Sequence, residues 1–507
     1  MTAVDRSSAV AVVGAGTMGQ GIAQVALVAG HPVLLFDAVP GRAEAAVDAV
    51  AGRLDRLAAK GRIGASEHKA ALARLAAADR LADLAPAALV VEAVVEDLAV
   101  KQRLFAELED IVAADCLLAT NTSSLSVTAV AAALRRPGRL VGMHFFNPAP
   151  LLPLVEVVAG AAGDAQAVTT ACDTAAAWDK VPVRCTDTPG FLVNRVARPF
   201  YAEALRVYEE RAADPATVDA LLRESGGFAM GAFELTDLIG QDVNEAVTRS
   251  VWEAFGRDPK FAPSLAQRRL VESGRLGRKS GRGWYPYGDE RAHGDAVQPH
   301  TAEPAMAPGY VTVRGTLGPA GALPGLLREA RIEVREEPAA PGERTGAIVL
   351  PGGTPLHLAD GRLPGAPAIQ FDLALDYRAA GRIAIAPSAG VHADAVAEAT
   401  GLFQALGKEV SVVRDVPGMV VARTAAMLVD FALDTVAREV ATPQDVDTAM
   451  RLGVNYPLGP LEWGERVSLT YVRDLLDALH VWYPSGRYAP CPELRRRAAR
   501  SEDVISS

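Results

Sequence analysis

Val10 to Val13 is a short apolar run that meets a turn at Gly14. Beyond it Ile22, Val25, Ala26 and Ala29 recur at helical spacing until Gly30. Val33 to Phe36 is a second apolar run, closed by Asp37. These positions predict a strand, a turn, a helix and a second strand. Leu89 to Val94 and Cys116 to Thr120 have the length and composition of buried strands, with a helical stretch from Lys101 to Ile111 between them. Leu140 to Met143 leads into His144, and Leu154 to Val158 is a further apolar run. Strands alternating with helices predict an α/β domain built on a parallel sheet with helices on both faces. One long helix, from about Arg42 to Arg74, is expected between the second and third strands.

The first turn carries chemistry. Gly14-Ala15-Gly16-Thr17-Met18-Gly19 follows the first strand directly and opens the first helix. Gly14 suits a tight turn, Gly16 lets the backbone approach a pyrophosphate, and Gly19 lets helix and strand pack closely. Unpaired N–H groups at the helix start favour phosphate. Asp37 stands where an acid would bond the adenosine ribose hydroxyls and repel a 2′-phosphate, which selects NAD over NADP. Residues 1–186 are therefore expected to form a Rossmann-type NAD-binding domain. In such sheets ligands lie beyond the carboxyl ends of the strands, where Asn121-Thr122-Ser123-Ser124 and His144 fall. His144-Phe145-Phe146-Asn147-Pro148 is followed by Glu156 in the next apolar run. If the Pro-containing turn folds the two runs together, a carboxylate bonded to one ring nitrogen leaves the other free as a base. Taken alone, a buried structural histidine explains the same residues.

At Asp187-Thr188-Pro189-Gly190-Phe191 the pattern changes to helical spacing, with few strand signals until Trp284, so residues 187–287 are expected to form an all-α domain. A cofactor domain followed by a helical one predicts a cleft between them. Residues 288–308, rich in Pro, Gly, His and Asp, read as a linker. Beyond it the chain repeats itself. Asp187-Thr188-Pro189-Gly190-Phe191 returns as Asp415-Val416-Pro417-Gly418-Met419, an offset of 415 − 187 = 228, and Val218-Asp219, Gly231 and Glu234 recur at the same offset as Val446-Asp447, Gly459 and Glu462. Residues 411–507 are thus expected to be a second helical copy. Between the copies, 309–410 reads as a degenerate Rossmann-like segment. Tyr310 to Gly318 keeps only part of the glycine pattern, Glu156 maps to Ala384, and Asn194 maps to Ala422.

A chain of 507 residues exceeds one core and implies several domains. A net charge of −10 argues against nucleic acid or an anionic membrane as partner. No apolar run is long enough to span a bilayer, and no signal segment is read at the N-terminus. Cys116, Cys172, Cys185 and Cys491 lie far apart, so free thiols in a reducing cytoplasm are expected, and no metal site. Arg53, Arg56 and Lys60 share one helical face, either a solvated surface or a clamp for a phosphorylated substrate.

Six ordered motifs together resemble the 3-hydroxyacyl-CoA dehydrogenase family, in particular its long 3-hydroxybutyryl-CoA or 3-hydroxyadipyl-CoA type. They are Gly14 to Ala23, Val91 to Asp97, Asn121 to Leu125, His144 to Pro148, Pro189 to Arg195, and Arg278-Lys279-Ser280-Gly281-Arg282-Gly283-Trp284-Tyr285. The resemblance implies NAD-dependent oxidation of an (S)-3-hydroxyacyl-CoA, with His144 as base, Glu156 as its partner, and Ser123 and Asn194 on the substrate oxygen. It implies cofactor contacts from Asp37, Glu96, Lys101, Ser123, Asn147 and Lys279, besides the backbone of Gly14, Ala15, Gly16, Thr17, Met18 and Gly19. It also implies binding of the CoA nucleotide by Arg53, Arg56 and Lys60 with Ser123. Ser124, and Asn147 as a turn residue, retain structural alternatives. The family pairs through its helical domains, so the tandem copies are expected to pack on each other within one chain, with homo-oligomers also open. The rival readings are a dehydrogenase of a non-CoA 3-hydroxy acid or carnitine-like alcohol, and a non-catalytic NAD-sensing protein.

Overall fold

The computed structural model describes residues 3–288, 297–339 and 345–505. By compactness the chain divides into two units, Met1–Val193 with Arg438–Val454, and Asn194–Ala437 with Asn455–Ser507.

The first unit is built on an eight-stranded sheet: β1 (Ala9–Val13), β2 (Val33–Phe36), β3 (Leu75–Ala77), β4 (Ala87–Glu92), β5 (Leu117–Thr120), β6 (Leu140–Phe145), β7 (Leu154–Ala159) and β8 (Val181–Thr186). Their order is β3-β2-β1-β4-β5-β6-β7-β8, so the winding reverses between β1 and β4. Strands β1 to β6 are parallel. β7 runs antiparallel to β6, because residues 146–153 are too few for a crossover. Helices α1 (Thr17–Val28), α2 (Arg42–Ala59), α3 (Ala65–Ala73), α4 (Leu98–Ile111), α5 (Val127–Ala131) and α6 (Ala165–Ala177) connect the strands. Val10, Val12, Ile22, Leu89 and Val91 are fully buried, each worth about 1.5–3 kcal/mol for its larger side chains.

The expected helix from Arg42 to Arg74 is two helices. Gly61 takes a positive φ of 65° after α2, and Gly64 caps α3 in extended conformation. A glycine free to turn left-handed ends a helix at little cost, and here it overrides the apolar periodicity that runs on through it.

The unit boundaries also cross the sequential division. The helix Pro443–Gly453, from the second helical copy, packs on β7 and β8 of the first unit. Thr186 N–H donates to Val440 O at 3.0 Å at the edge of this contact.

The second unit holds a seven-stranded sheet with β9 (Tyr310–Arg314), β10 (Glu333–Glu337), β11 (Ala347–Val349), β12 (Pro355–Leu358), β13 (Ile369–Phe371), β14 (Arg382–Pro387) and β15 (Glu409–Val412), in the order β10-β9-β11-β12-β13-β14-β15. It reproduces the first sheet in reduced form. β11 takes the place of β4 but runs antiparallel to both neighbours, so the short turn to β12 replaces a crossover helix. From β13 onward the correspondence is ungapped: β14 begins at 382 and β7 at 154, and 382 − 154 = 228. Of the expected linker, residues 289–296 lie outside the described residues. Residues 297–308 run as irregular chain, with Ala302 N–H on Val410 O and Ala305 N–H on Gln404 Oε1, both at 2.8 Å.

The two helical copies meet through Arg198–Glu209 and Val421–Ala437. Their contact buries charge. Arg423 donates to Glu210 at 3.1 and 3.0 Å, while Arg487 and the Tyr488 hydroxyl donate to Glu203, at 3.0 and 2.7 Å. A buried ion cluster of this kind tolerates loss of a member poorly, since the remaining charges stay desolvated.

Candidate active site

The carboxyl ends of β1, β4, β5 and β6 gather the motifs. Gly14 has φ +104°, and a Cβ on it would stand 2.5 Å from the Ala93 carbonyl oxygen. A Cβ on Gly19 would overlap the Gly14 carbonyl. Gly16, which caps α1, has nothing within 4 Å of where its Cβ would be. Two glycines are thus required by the chain's own packing, and the third leaves open space above a helix N-terminus. That arrangement fits a dinucleotide pyrophosphate. Asp37 follows β2 directly and is fixed toward the turn: its Oδ2 accepts from Ala15 N–H at 2.8 Å and its Oδ1 from Val39 N–H at 3.0 Å.

His144 and Glu156 face each other on one rung of the β6–β7 ladder. Nδ1 of His144 lies 2.5 Å from Oε2 of Glu156, with the imidazole 6% exposed and the carboxylate fully buried. The other oxygen, Oε1, accepts from Leu192 N–H at 3.0 Å and Val193 N–H at 2.7 Å. Gly190 (φ +75°) and Phe191 (φ +48°) turn the chain so that these two donors point back at the acid. A left-handed phenylalanine costs energy, and its presence beside this carboxylate marks a turn held for its geometry. Phe146 and Phe191 flank the imidazole, with centroids 4.5 and 6.0 Å away. Asn121 Oδ1 accepts from Phe145 N–H at 2.8 Å and so anchors the end of β6. With Nδ1 engaged by an anion, a neutral imidazole presents Nε2 unprotonated, as a proton acceptor.

Beyond the end of the neighbouring strand β5 lies a polar cluster. Glu96 accepts from the Thr122 hydroxyl at 2.6 Å, from Ser123 N–H at 3.0 Å and from Ser124 N–H at 3.1 Å. Burial pushes its carboxyl up, but the Lys101 ammonium and these hydrogen bonds outweigh it and hold the group below its ordinary range. Lys101 is 1% exposed and binds Glu92 at 2.6 Å and Glu96 at 3.2 Å. Glu92, which the Val91–Asp97 motif contains but to which the sequence assigns no role, is fully buried and also accepts from Thr120 Oγ1 and Val94 N–H, both at 2.7 Å. A glutamate inside an apolar strand run was the available signal, since burial there demands a partner. Ser123 is half-buried, and Asn147 is exposed before a cis Pro148.

Arg53 and Arg56 lie on α2 and Lys60 caps its end; Arg53 donates to Gln20 Oε1 at 2.7 Å, while Arg56 and Lys60 are exposed. Asn194 and Lys279 belong to the second unit. There Asn194 accepts from Arg198 through its backbone oxygen at 3.0 Å, and Lys279 pairs with Asp242 at 2.6 Å. All four cysteines are free and buried, and burial pushes Cys116 and Cys491 up to about 12. Among the described residues no helix is long and apolar enough to cross a membrane.

Residues 9–188 match the 3-hydroxyacyl-CoA dehydrogenase NAD-binding domain, and residues 190–287 and 418–502 each match the C-terminal domain of that family. A 3-hydroxyadipyl-CoA dehydrogenase of Escherichia coli (strain K12) is 44% identical over 96% of this chain and 97% of its own. The chain belongs to the 3-hydroxyacyl-CoA dehydrogenase family. Residues 356–417 match the family's 3-hydroxybutyryl-CoA dehydrogenase reduced Rossmann-fold domain, which covers the strands from β12 to β15. A crystal structure titled 3-hydroxybutyryl-CoA dehydrogenase, from Escherichia coli K12, superposes with a TM-score of 0.88 at 40% identity, covering 98% of this chain and 99% of that one. A shorter 3-hydroxybutyryl-CoA dehydrogenase of Mycobacterium tuberculosis is 40% identical over 56% of this chain and 99% of its own. Within the family frame, the reduced half has no base: an acid stands in the base's place and an alanine in the acid's. Asp372 stands at the place of His144 (372 − 144 = 228) and Ala384 at that of Glu156. Asp372 accepts from Val420, Val421 and Ala422 N–H at 3.0, 2.8 and 3.0 Å, doing alone for that helix start what Glu156 does for Leu192 and Val193.

Proposed function

We propose that this protein is an NAD-dependent (S)-3-hydroxyacyl-CoA dehydrogenase of the 3-hydroxybutyryl-CoA or 3-hydroxyadipyl-CoA class, with its chemistry in the N-terminal half. The observation that carries the reading is the buried 2.5 Å contact between His144 Nδ1 and Glu156 Oε2 at the carboxyl edge of a dinucleotide-binding sheet. His144 Nε2 takes the proton of the substrate 3-hydroxyl, and Glu156 stabilises the imidazolium that results. When bound, NAD supplies the acceptor for the hydride that leaves C3.

The backbone from Gly14 to Gly19 would hold the cofactor pyrophosphate and Asp37 its ribose. Glu96, Ser123 and Asn147 stand as further cofactor contacts. Lys101 is engaged by two carboxylates, which supports a role in holding Glu96 toward the site. Asn194 and Lys279 keep their roles, toward substrate oxygen and cofactor, on family resemblance alone. Arg53, Arg56 and Lys60, with Ser123, are the candidates for the CoA nucleotide; two exposed cations and one half-buried one suit a phosphate-rich handle. The acidic charge and buried thiols support a reducing cytoplasm, with an acyl-CoA as partner and neither nucleic acid nor membrane.

The test is a substrate panel with the purified protein, following NADH absorbance: acetoacetyl-CoA and 3-oxoadipyl-CoA for reduction, and free 3-hydroxy acids and carnitine with NAD for oxidation. Turnover confined to the CoA esters is expected. Equal turnover of the free acids would transfer the protein to another substrate class, and no turnover of either would remove the enzymatic reading.

A further inference from the structure

The decayed second half retains a helical copy, and one part of that copy lies against the strand that bears Glu156. Helix Pro443–Gly453 starts on a Thr442 cap, whose Oγ1 accepts from Asp445 N–H at 3.1 Å, and runs over β7 and β8. It ends at Gly453. A Cβ on Gly453 would stand 2.6 Å from Leu154 Cδ2 and 3.2 Å from Val193 Cγ2. Leu154 opens β7 two residues before Glu156, on the same face of the strand, and is fully buried. Val193 is the residue whose N–H donates to Glu156 Oε1 at 2.7 Å. Gly453 therefore lies against the side chains of two residues that flank the carboxylate: Leu154 on its strand, and Val193, whose N–H it accepts from.

The same contact occurs a second time. Ser225, at 453 − 228, follows helix Pro215–Glu224, which packs on β14. Its hydroxyl donates to the carbonyl of Arg382, the residue at 154 + 228, at 2.5 Å. Each helical copy thus closes over the sheet encoded in the other half, with a small residue at the meeting point. Gly453 is not among the glycines of positive φ, so what a larger residue would meet there is the packed ends of Leu154 and Val193 and not a backbone restriction.

Resting on the reading of His144 and Glu156 as the base pair, we infer that Gly453 is a positioning residue for Glu156, and that the second helical copy persists because it braces β7. A misplacement of about 1 Å in a catalytic group can cost on the order of 10²-fold in rate. Gly453→Val adds three carbons at the contact, and Leu154→Ala removes three.

The experiment uses the full-length protein. Gly453→Val should lower kcat by about 10- to 100-fold, with KM for acetoacetyl-CoA and the NADH Kd within about twofold of wild type, because the change is directed at the position of Glu156 and at none of the residues proposed to bind either ligand. The double variant Gly453→Val/Leu154→Ala should recover kcat to within about threefold, as a volume-conserving exchange does. If Gly453→Val does not fold, Gly453→Ala with Leu154→Val makes the same comparison one carbon at a time. Unchanged kcat in a folded single variant, a parallel rise in KM, or a loss that the Leu154 partner does not recover each overturn the inference. Glu156→Gln measured alongside separates the two ideas. If it retains activity, the base-pair reading has failed; if it is inactive while Gly453→Val is not, only the brace has.

Discussion

Replacing Glu156 by glutamine tests the site with one atom. The isosteric change keeps the side chain's volume in a fully buried place. Its orientation is forced: Leu192 and Val193 both donate N–H groups to Oε1, so an amide must keep its oxygen there and turn its NH₂ toward His144. The imidazole then has a donor facing Nδ1 where it had an anion. Nδ1 must accept, the ring proton moves to Nε2, and the nitrogen needed as base is occupied. An imidazolium formed there would also lack its counter-charge, and stripping the partner from a buried ion costs about 3–5 kcal/mol. That corresponds to about 10²–10⁴-fold in kcat, the same range that loss of a general base produces. Folding should survive, because both backbone donors stay satisfied, and the thermal midpoint should move by less than about 4 °C. The assay is acetoacetyl-CoA reduction under NADH saturation, with His144→Ala as the floor. A Glu156→Gln protein that turns over within threefold of wild type, while His144→Ala is inactive, would refute the tautomer argument; if both retain activity, the pair has no part in catalysis.

Two further predictions follow from the cofactor turn and from the second half. Asp37→Ala removes both the ribose acid and the pin on Ala15 N–H, so the NADH Kd should rise by about 10- to 100-fold, the worth of a charged hydrogen bond, and the NADPH Kd by less; equal losses in fluorescence titrations argue against the ribose role. Burial raises Asp372 from an ordinary 3.8 to about 6 in the folded protein, so folding favours its neutral form. Its contribution to stability is full below pH 3.8 and is lost as pH rises through 6. Between pH 7 and pH 4 the wild type should therefore gain up to about 3 kcal/mol on Asp372→Asn in denaturant unfolding, and a pH-independent difference would contradict the shift.

How much of this was legible in the residues follows the range of the forces involved. The glycine turn, Asp37 and the meeting of His144 with Glu156 depend on neighbours within a few dozen residues, and periodicity with turn chemistry locates them. The break between α2 and α3 was locally encoded too, in Gly61 and Gly64, but the apolar spacing runs through it and outweighed two glycines. Long-range packing was not legible. Nothing in Val440 to Gly453 announces that this helix belongs on β7, because its partner lies some three hundred residues away and its only mark is a glycine where a helix favours almost anything else. Lys101 entered only through the family resemblance, as a cofactor contact, and its commitment to Glu92 required the fold. Asp372 was hidden for a different reason: a search for the missing histidine motif does not notice an acid standing on the histidine's side of the rung.

The placement of that acid has a consequence for the second half. Rebuilding the first half's arrangement in the second requires histidine at 372 and glutamate at 384 together. Asp372→His alone strips the start of helix Val421–Ala437 of the acceptor for three N–H groups, and Ala384→Glu alone sets two acids across one ladder rung. Each single change is therefore expected to cost stability before any pair is regained, so in that arrangement Asp372 stands in the way of the chemistry whose place it occupies.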